Sequence, residues 1–115
     1  MKIVTEHPEK VNPIIEELIS DLKLLLGSDL EKIILYGSYA RGKYEKHSDV
    51  DLLILTKKNL SKYTEDKITE ITSDYLVEKG VLFSIIIKSS AYFFEWENVM
   101  DLFINVNRDG IIVYG

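Results

Sequence analysis

The chain has 115 residues and no cysteine, so neither a disulfide framework nor a thiolate metal site can be built from it. It has two histidines, His7 and His47, too far apart in sequence to suggest a histidine metal cluster. Its two prolines, Pro8 and Pro13, both fall before or within the first turns of the first helical pattern, so no proline interrupts a later element. No apolar run approaches the ~18–20 residues that span a bilayer, and the N-terminus has no signal-peptide pattern. Both features make the cytoplasm the expected location. Positive charge is the minority sign: 14 Lys and Arg stand against 19 Asp and Glu, a net charge of −5. That balance argues against a protein that holds DNA or RNA by bulk electrostatics.

What is present is ordinary globular composition, with 46% hydrophobic and 29% charged residues. The length suits one domain covering residues 1–115, and no linker, repeat or low-complexity tract divides it. Ile14, Ile15, Leu18, Ile19, Leu22, Leu25 and Leu26 recur at helical steps and predict a helix over 13–26, closed by Gly27. Lys32–Tyr36 reads as a buried strand ended abruptly by Gly37-Ser38, and Ser38 is placed to cap a short helix. Asp49–Thr56 reads as a second strand. A helix is expected over 61–79, with Ile68, Ile71, Tyr75 and Leu76 inward and Gly80 at its end. Val81–Ile87 is a third strand. A late helix capped by Ser89 or Ser90 runs to about Val106, Asn107–Gly110 is a turn, and Ile111–Tyr114 is a last strand. Helices alternating with strands predict a mixed α/β (α+β) fold, a small sheet with helices packed on it.

The chemical signal is a strand, then Gly37-Ser38, ten residues, then Asp49-Val50-Asp51. Glycine lets the chain turn sharply and lets a ligand approach the backbone. The amides that follow can donate to a phosphate, and Ser38 adds a hydroxyl. Asp49 and Asp51 are two apart on a strand, so their side chains share a face with Cα atoms roughly 6–7 Å apart. Two such carboxylates are hard oxygen ligands suited to Mg²⁺ and spaced for a pair of ions. Val50, Leu52 and Ile54 on the other face would anchor the strand. Four fixed residue types at this spacing arise by chance on the order of once in a thousand chains at ~5–7% usage each. A P-loop reading of Gly37 to Lys43 fails because Tyr44 stands where Ser or Thr is needed.

Gly37-Ser38, Arg41-Gly42 and Asp49-Val50-Asp51-Leu52 resemble the minimal nucleotidyltransferases of the DNA polymerase β superfamily, which carry Gly-Ser, ten residues, Asp-x-Asp. The closing stretch from Asn105 to Tyr114 is also similar to the ending of many such domains. The resemblance implies a nucleotidyltransferase fold, a small mixed sheet with helices on one face. It also implies transfer of a nucleoside monophosphate from an NTP, ATP first among candidates, with Mg²⁺ or Mn²⁺. Gly37 and Ser38 would hold the phosphates and Asp49 and Asp51 the metal. Arg41 would either contact a phosphate or fix the loop through an ion pair. Lys43 and Lys46 would steer the nucleotide or be solvated surface charge. Members of this kind pair as antitoxins with a HEPN toxin, which some of them modify with AMP, so a HEPN protein is the implied partner; a homo-oligomer is also open.

Active members place a third carboxylate on a neighbouring strand. The matching strand here, Val81–Ile87, has no acid, and Ser84 takes that position. Two functions therefore stand: an enzyme transferring AMP to a hydroxyl, and a non-catalytic, antitoxin-like nucleotide-binding module acting by contact. Tyr92, Phe93, Phe94 and Trp96 are either packing of the late helix or an exposed patch for a partner chain.

Overall fold

The computed structural model describes residues 11–42 and 49–115. Helix α1 (Val11–Leu26) leads through a short 3-10 turn (Gly27–Asp29) into strand β1 (Leu30–Tyr36). A four-residue helix α2 (Gly37–Ala40) follows, then β2 (Val50–Thr56), α3 (Lys62–Lys79), β3 (Phe83–Ser89), α4 (Ser90–Trp96), α5 (Asp101–Asp109) and β4 (Ile111–Tyr114). The sheet order is β3-β2-β1-β4. Strand β1 is antiparallel to both β2 and β4, whereas β2 and β3 are parallel and joined by α3. Among the described residues no helix is long and apolar enough to cross a membrane.

Helices cover both faces of the sheet, which corrects the one-faced arrangement implied by the resemblance. Ile33, Leu35, Val50, Leu52 and Ile54 pack with Ile15, Leu18 and Leu22 of α1 and with Ile68 and Tyr75 of α3. Their strand neighbours Ile34, Leu53 and Leu55 point the other way, onto Phe93 of α4 and Phe103 and Val106 of α5. Consecutive apolar residues such as Leu52 to Leu55 require a cover on each side. Each such side chain, fully buried, contributes ~1.5–3 kcal/mol, so the two central strands are the rigid base on which the loops stand.

Local chemistry explains most boundaries and several departures from expectation. Ser61 caps α3 by accepting from the Thr64 amide, and Gly80 ends it in the left-handed region with φ 69. Leu76, expected inward, is exposed; it is turned ~100° around the helix from Tyr75. The Tyr75 hydroxyl donates to Asp21 Oδ2 at 2.6 Å and ties α3 to α1. Burial first, then that bond, push the phenol above its usual range. Strand β3 begins at Phe83 rather than Val81, because its pairing with β2 starts at Val50↔Phe83. Ser89 caps α4 by accepting from the Tyr92 amide. The single late helix expected to Val106 is two helices, since the amides of Val99 and Met100 both fold back onto the Trp96 carbonyl. Asn107, Arg108 and Asp109 stay helical, and the chain turns only at Gly110.

Candidate functional site

Strand β1 ends at Tyr36 because Gly37 takes a left-handed conformation, φ 76. A Cβ at Gly37 would overlap the Asp51 carboxylate. The turn and the acids, far apart in sequence, are therefore in contact, and only glycine fits between them. Helix α2 continues with Tyr39 buried in the core, which fixes the turn on the sheet. Ser38 does not cap α2, a correction to the expectation. Tyr36 occupies the N-cap position without a side-chain cap bond, Gly37 is the first helical residue and Ser38 the second. Ser38 is half-buried and its hydroxyl makes no hydrogen bond among the described residues. The turn closes with the Arg41 amide donating to the Gly37 carbonyl at 3.2 Å and the Gly42 amide to that of Tyr39 at 3.2 Å. Lys43 and Lys46 lie outside the described residues.

Asp49 is exposed just before β2, and Asp51 is half-buried within it. Asp51 shares its face with Leu53 and Leu55, while Val50, Leu52 and Ile54 anchor the opposite face in the core. Asp51 pairs in register with Tyr36 on one side and Ser84 on the other. Directly opposed residues present their side chains on one face, so Tyr36, Asp51 and Ser84 form a row across three strands. The sheet thus brings together Gly37, Ser38, Asp49, Asp51 and Ser84 at the start of β2.

The electrostatics of this corner favour a cation. Burial, and then the charge of Asp49, push the Asp51 carboxyl above the usual carboxylate range, with Arg41 opposing them. Burial, and then Asp51, push the Tyr36 phenol up as well. A half-buried carboxylate repelled by a neighbouring one is a donor that a divalent cation relieves. Among the described residues no group of three or more His, Cys, Asp or Glu could hold a metal. Two carboxylates nevertheless fit Mg²⁺, which is commonly held by one or two of them with substrate phosphates and water completing the shell.

Arg41, at the end of α2, extends toward Asp109 at the C-terminus of α5, with Nη1 and Oδ2 4.0 Å apart. Asp109 Oδ2 also accepts from Arg108 Nε at 3.1 Å and Nη2 at 2.9 Å. Those bonds first, with the charges of Arg108 and Arg41, hold Asp109 below the usual carboxylate range despite partial desolvation. Asp109 escaped the sequence reading because nothing in Asn-Arg-Asp-Gly distinguishes a site-facing acid from a turn residue. Of the aromatic group, Phe93 is core, whereas Phe94 is 62% exposed and Tyr92 and Trp96 are partly so.

Comparison with known proteins places the chain in a family. Residues 15–108 match the family model described as a nucleotidyltransferase domain. The chain belongs to that family, and its class is that of a nucleotidyltransferase. Three proteins of Methanocaldococcus jannaschii, each bearing the name putative protein adenylyltransferase, are similar to it. One is 43% identical over 74 residues, covering 64% of this chain and 75% of that protein. A second is 32% identical over 100 residues, covering 87% and 94%. A third is 39% identical over 80 residues, where the match spans only 54% of the relative. Among solved structures, a toxin–antitoxin complex with AMP-PNP superposes with TM-score 0.58 at 18% identity, covering 87% of this chain and 73% of that one. A mutant of the toxin–antitoxin pair MntA–HpeT superposes with TM-score 0.56 at 15% identity, covering 90% and 72%. These structural likenesses establish the shared fold.

Proposed function

We propose that this single domain binds an NTP, ATP first, together with Mg²⁺ or Mn²⁺, and transfers AMP to a hydroxyl of a partner protein. The observation that carries the reading is the apposition of the Gly37-Ser38 turn and the Asp51 carboxylate. The glycine of the phosphate-binding turn and one carboxylate of the metal pair then lie against one another. Asp49 and Asp51 would hold the metal, which when bound offsets triphosphate charge and orients the α-phosphate. Gly37 allows close approach of the phosphates, the first-turn amides of α2 and the Ser38 hydroxyl donate to their oxygens, and Arg41 adds a charge-assisted contact. The acceptor oxygen attacks the α-phosphorus, its proton passes to solvent water, and the bond to the departing pyrophosphate breaks. The names of the relatives, protein adenylyltransferases, support a protein acceptor. The toxin–antitoxin neighbours support a toxin as that partner, and the motif resemblance makes a HEPN protein the first candidate; a homo-oligomer is the alternative assembly. The cytoplasm supplies both ATP and Mg²⁺ and is the location the reading requires.

A second reading is favoured by one observation: Ser84, not an acid, stands opposite Asp51. Without a third carboxylate the acceptor hydroxyl lacks a built-in base, a loss of ~10²–10⁴ in rate, and the domain acts as a nucleotide-binding antitoxin-like module by contact. Incubation with radiolabelled ATP, Mg²⁺ and a co-purified partner separates the two. Label on the partner, abolished by Asp49→Asn, establishes transfer; stable binding of partner and ATP with no label establishes the contact module.

A further inference from the structure

Arg41 belongs to the turn that carries the proposed phosphate contacts, yet its ion-pair partner belongs to a different element at the far end of the chain. That partner, Asp109, sits on the last turn of α5. Three features hold Asp109 in place. Phe103 and Val106 of the same helix are buried against Ile34, Leu53 and Leu55. Gly110, just beyond, lies so close to the Val106 carbonyl and Ile34 that a Cβ there would collide with both. Arg108 grips Oδ2 through two N–H groups. Arg41 by contrast is held loosely, at 4.0 Å and with 45% of its side chain exposed. An ion pair of that kind adds little to stability. A partner that biases so long and flexible a side chain toward one place lowers the ordering cost of ligand binding.

Resting on the nucleotide reading above, we propose that Asp109 is a positioning residue that holds the Arg41 guanidinium beside the Asp51 corner, ready for the triphosphate. The α5 C-terminus is thereby part of the nucleotide site without touching the nucleotide. The Arg41 amide donates to the Gly37 carbonyl and Gly37 lies against Asp51, so a guanidinium held at Asp109 stays at that corner. On binding, Arg41 keeps its contact with Asp109 through Nη1 while its other N–H groups reach phosphate oxygens.

The sign of one substitution tests this. Asp109→Asn removes a negative charge near an anion site, so a carboxylate acting only through its charge would, once neutralised, leave Mg-ATP bound more tightly. Positioning predicts the opposite, an affinity about two- to fivefold weaker, the scale of an exposed ion pair. Calorimetry with Mg-ATP would compare wild type, Asp109→Asn, Asp109→Glu, Arg41→Ala and the double variant Arg41→Ala/Asp109→Asn, with a melting curve for each. Arg41→Ala should weaken binding about tenfold or more, as loss of a charge-assisted bond does. The double variant should be no weaker than Arg41→Ala alone, and Asp109→Glu should recover part of the loss. An Asp109→Asn protein that binds as tightly as wild type or tighter overturns the proposal. So does an equal further loss in the Arg41→Ala background, which marks Asp109 as merely structural. Wild type that fails to bind Mg-ATP overturns the nucleotide reading itself, and this inference with it.

Discussion

Gly37 lies against the Asp51 carboxylate with no room for a side chain between them. This contact joins the end of β1 to the start of β2 and makes one corner of two motifs.

The first prediction follows from it. Gly37→Ala meets both the left-handed φ and the carboxylate, whereas Gly42→Ala meets only its φ of 70, with nothing within 4 Å. The conformational term is ~1–2 kcal/mol for either. Melting curves should show Gly37→Ala losing clearly more than Gly42→Ala, and Mg-ATP affinity should fall only in the former. Equal losses in both would mean that Asp51 yields readily and the contact is incidental.

The second concerns Asp51 and pH. Its folded carboxyl binds a proton more tightly than in the unfolded chain, because of burial first and Asp49 second. Stability therefore falls as pH rises from the ordinary carboxylate range through the raised folded value, and the cost is complete above it. Asp51→Asn removes that cost. Without metal, the variant should melt above wild type at neutral pH, and the gap should close as pH falls below the ordinary carboxylate range. A variant that melts below wild type at neutral pH contradicts this.

Much of the fold was legible because hydrophobic period and helix caps act locally. Ser61 and Gly80 bracket α3 as their chemistry dictates, and Asp51 lies in β2 where the strand pattern put it, whereas Asp49, expected to open the strand, sits just before it. The break between α4 and α5 was not legible: Glu97 to Met100 contains neither Gly nor Pro, and the chain turns there through bonds to Trp96. The two-sided cover is written in Ile33 to Leu35 and Leu52 to Leu55, whose successive apolar side chains point to opposite faces. The relation of Asp109 to Arg41 was hidden because it spans the chain and depends on α5 docking on the sheet.

The third prediction is for Ser38, which does not cap its helix. Ser38→Ala should leave the melting temperature nearly unchanged, where loss of an N-cap would cost ~1 kcal/mol. Mg-ATP affinity should weaken by roughly 1–2 kcal/mol, as for a hydrogen bond to a charged group. A purely thermal effect would remove Ser38 from the phosphate site.

The fourth uses the register of Ser84 with Asp51. Ser84→Asp sets a third acid in the row, raising like-charge repulsion without metal and adding a base and a ligand with it. The variant should melt below wild type in chelator, regain stability with Mg²⁺, and transfer more AMP to the partner. No gain in transfer, with folding and ATP binding retained, would show that the base comes from elsewhere.

The most direct test of the central claim is a calorimetric titration of ATP into the wild-type protein and into Asp49→Asn/Asp51→Asn, each with Mg²⁺, with Mn²⁺ and with chelator. Saturable binding by wild type that requires either metal and is lost in the folded double variant is the predicted result. Undiminished binding by the double variant, or metal-independent binding by wild type, would contradict the assignment of Asp49 and Asp51 as the metal pair of a nucleotide site.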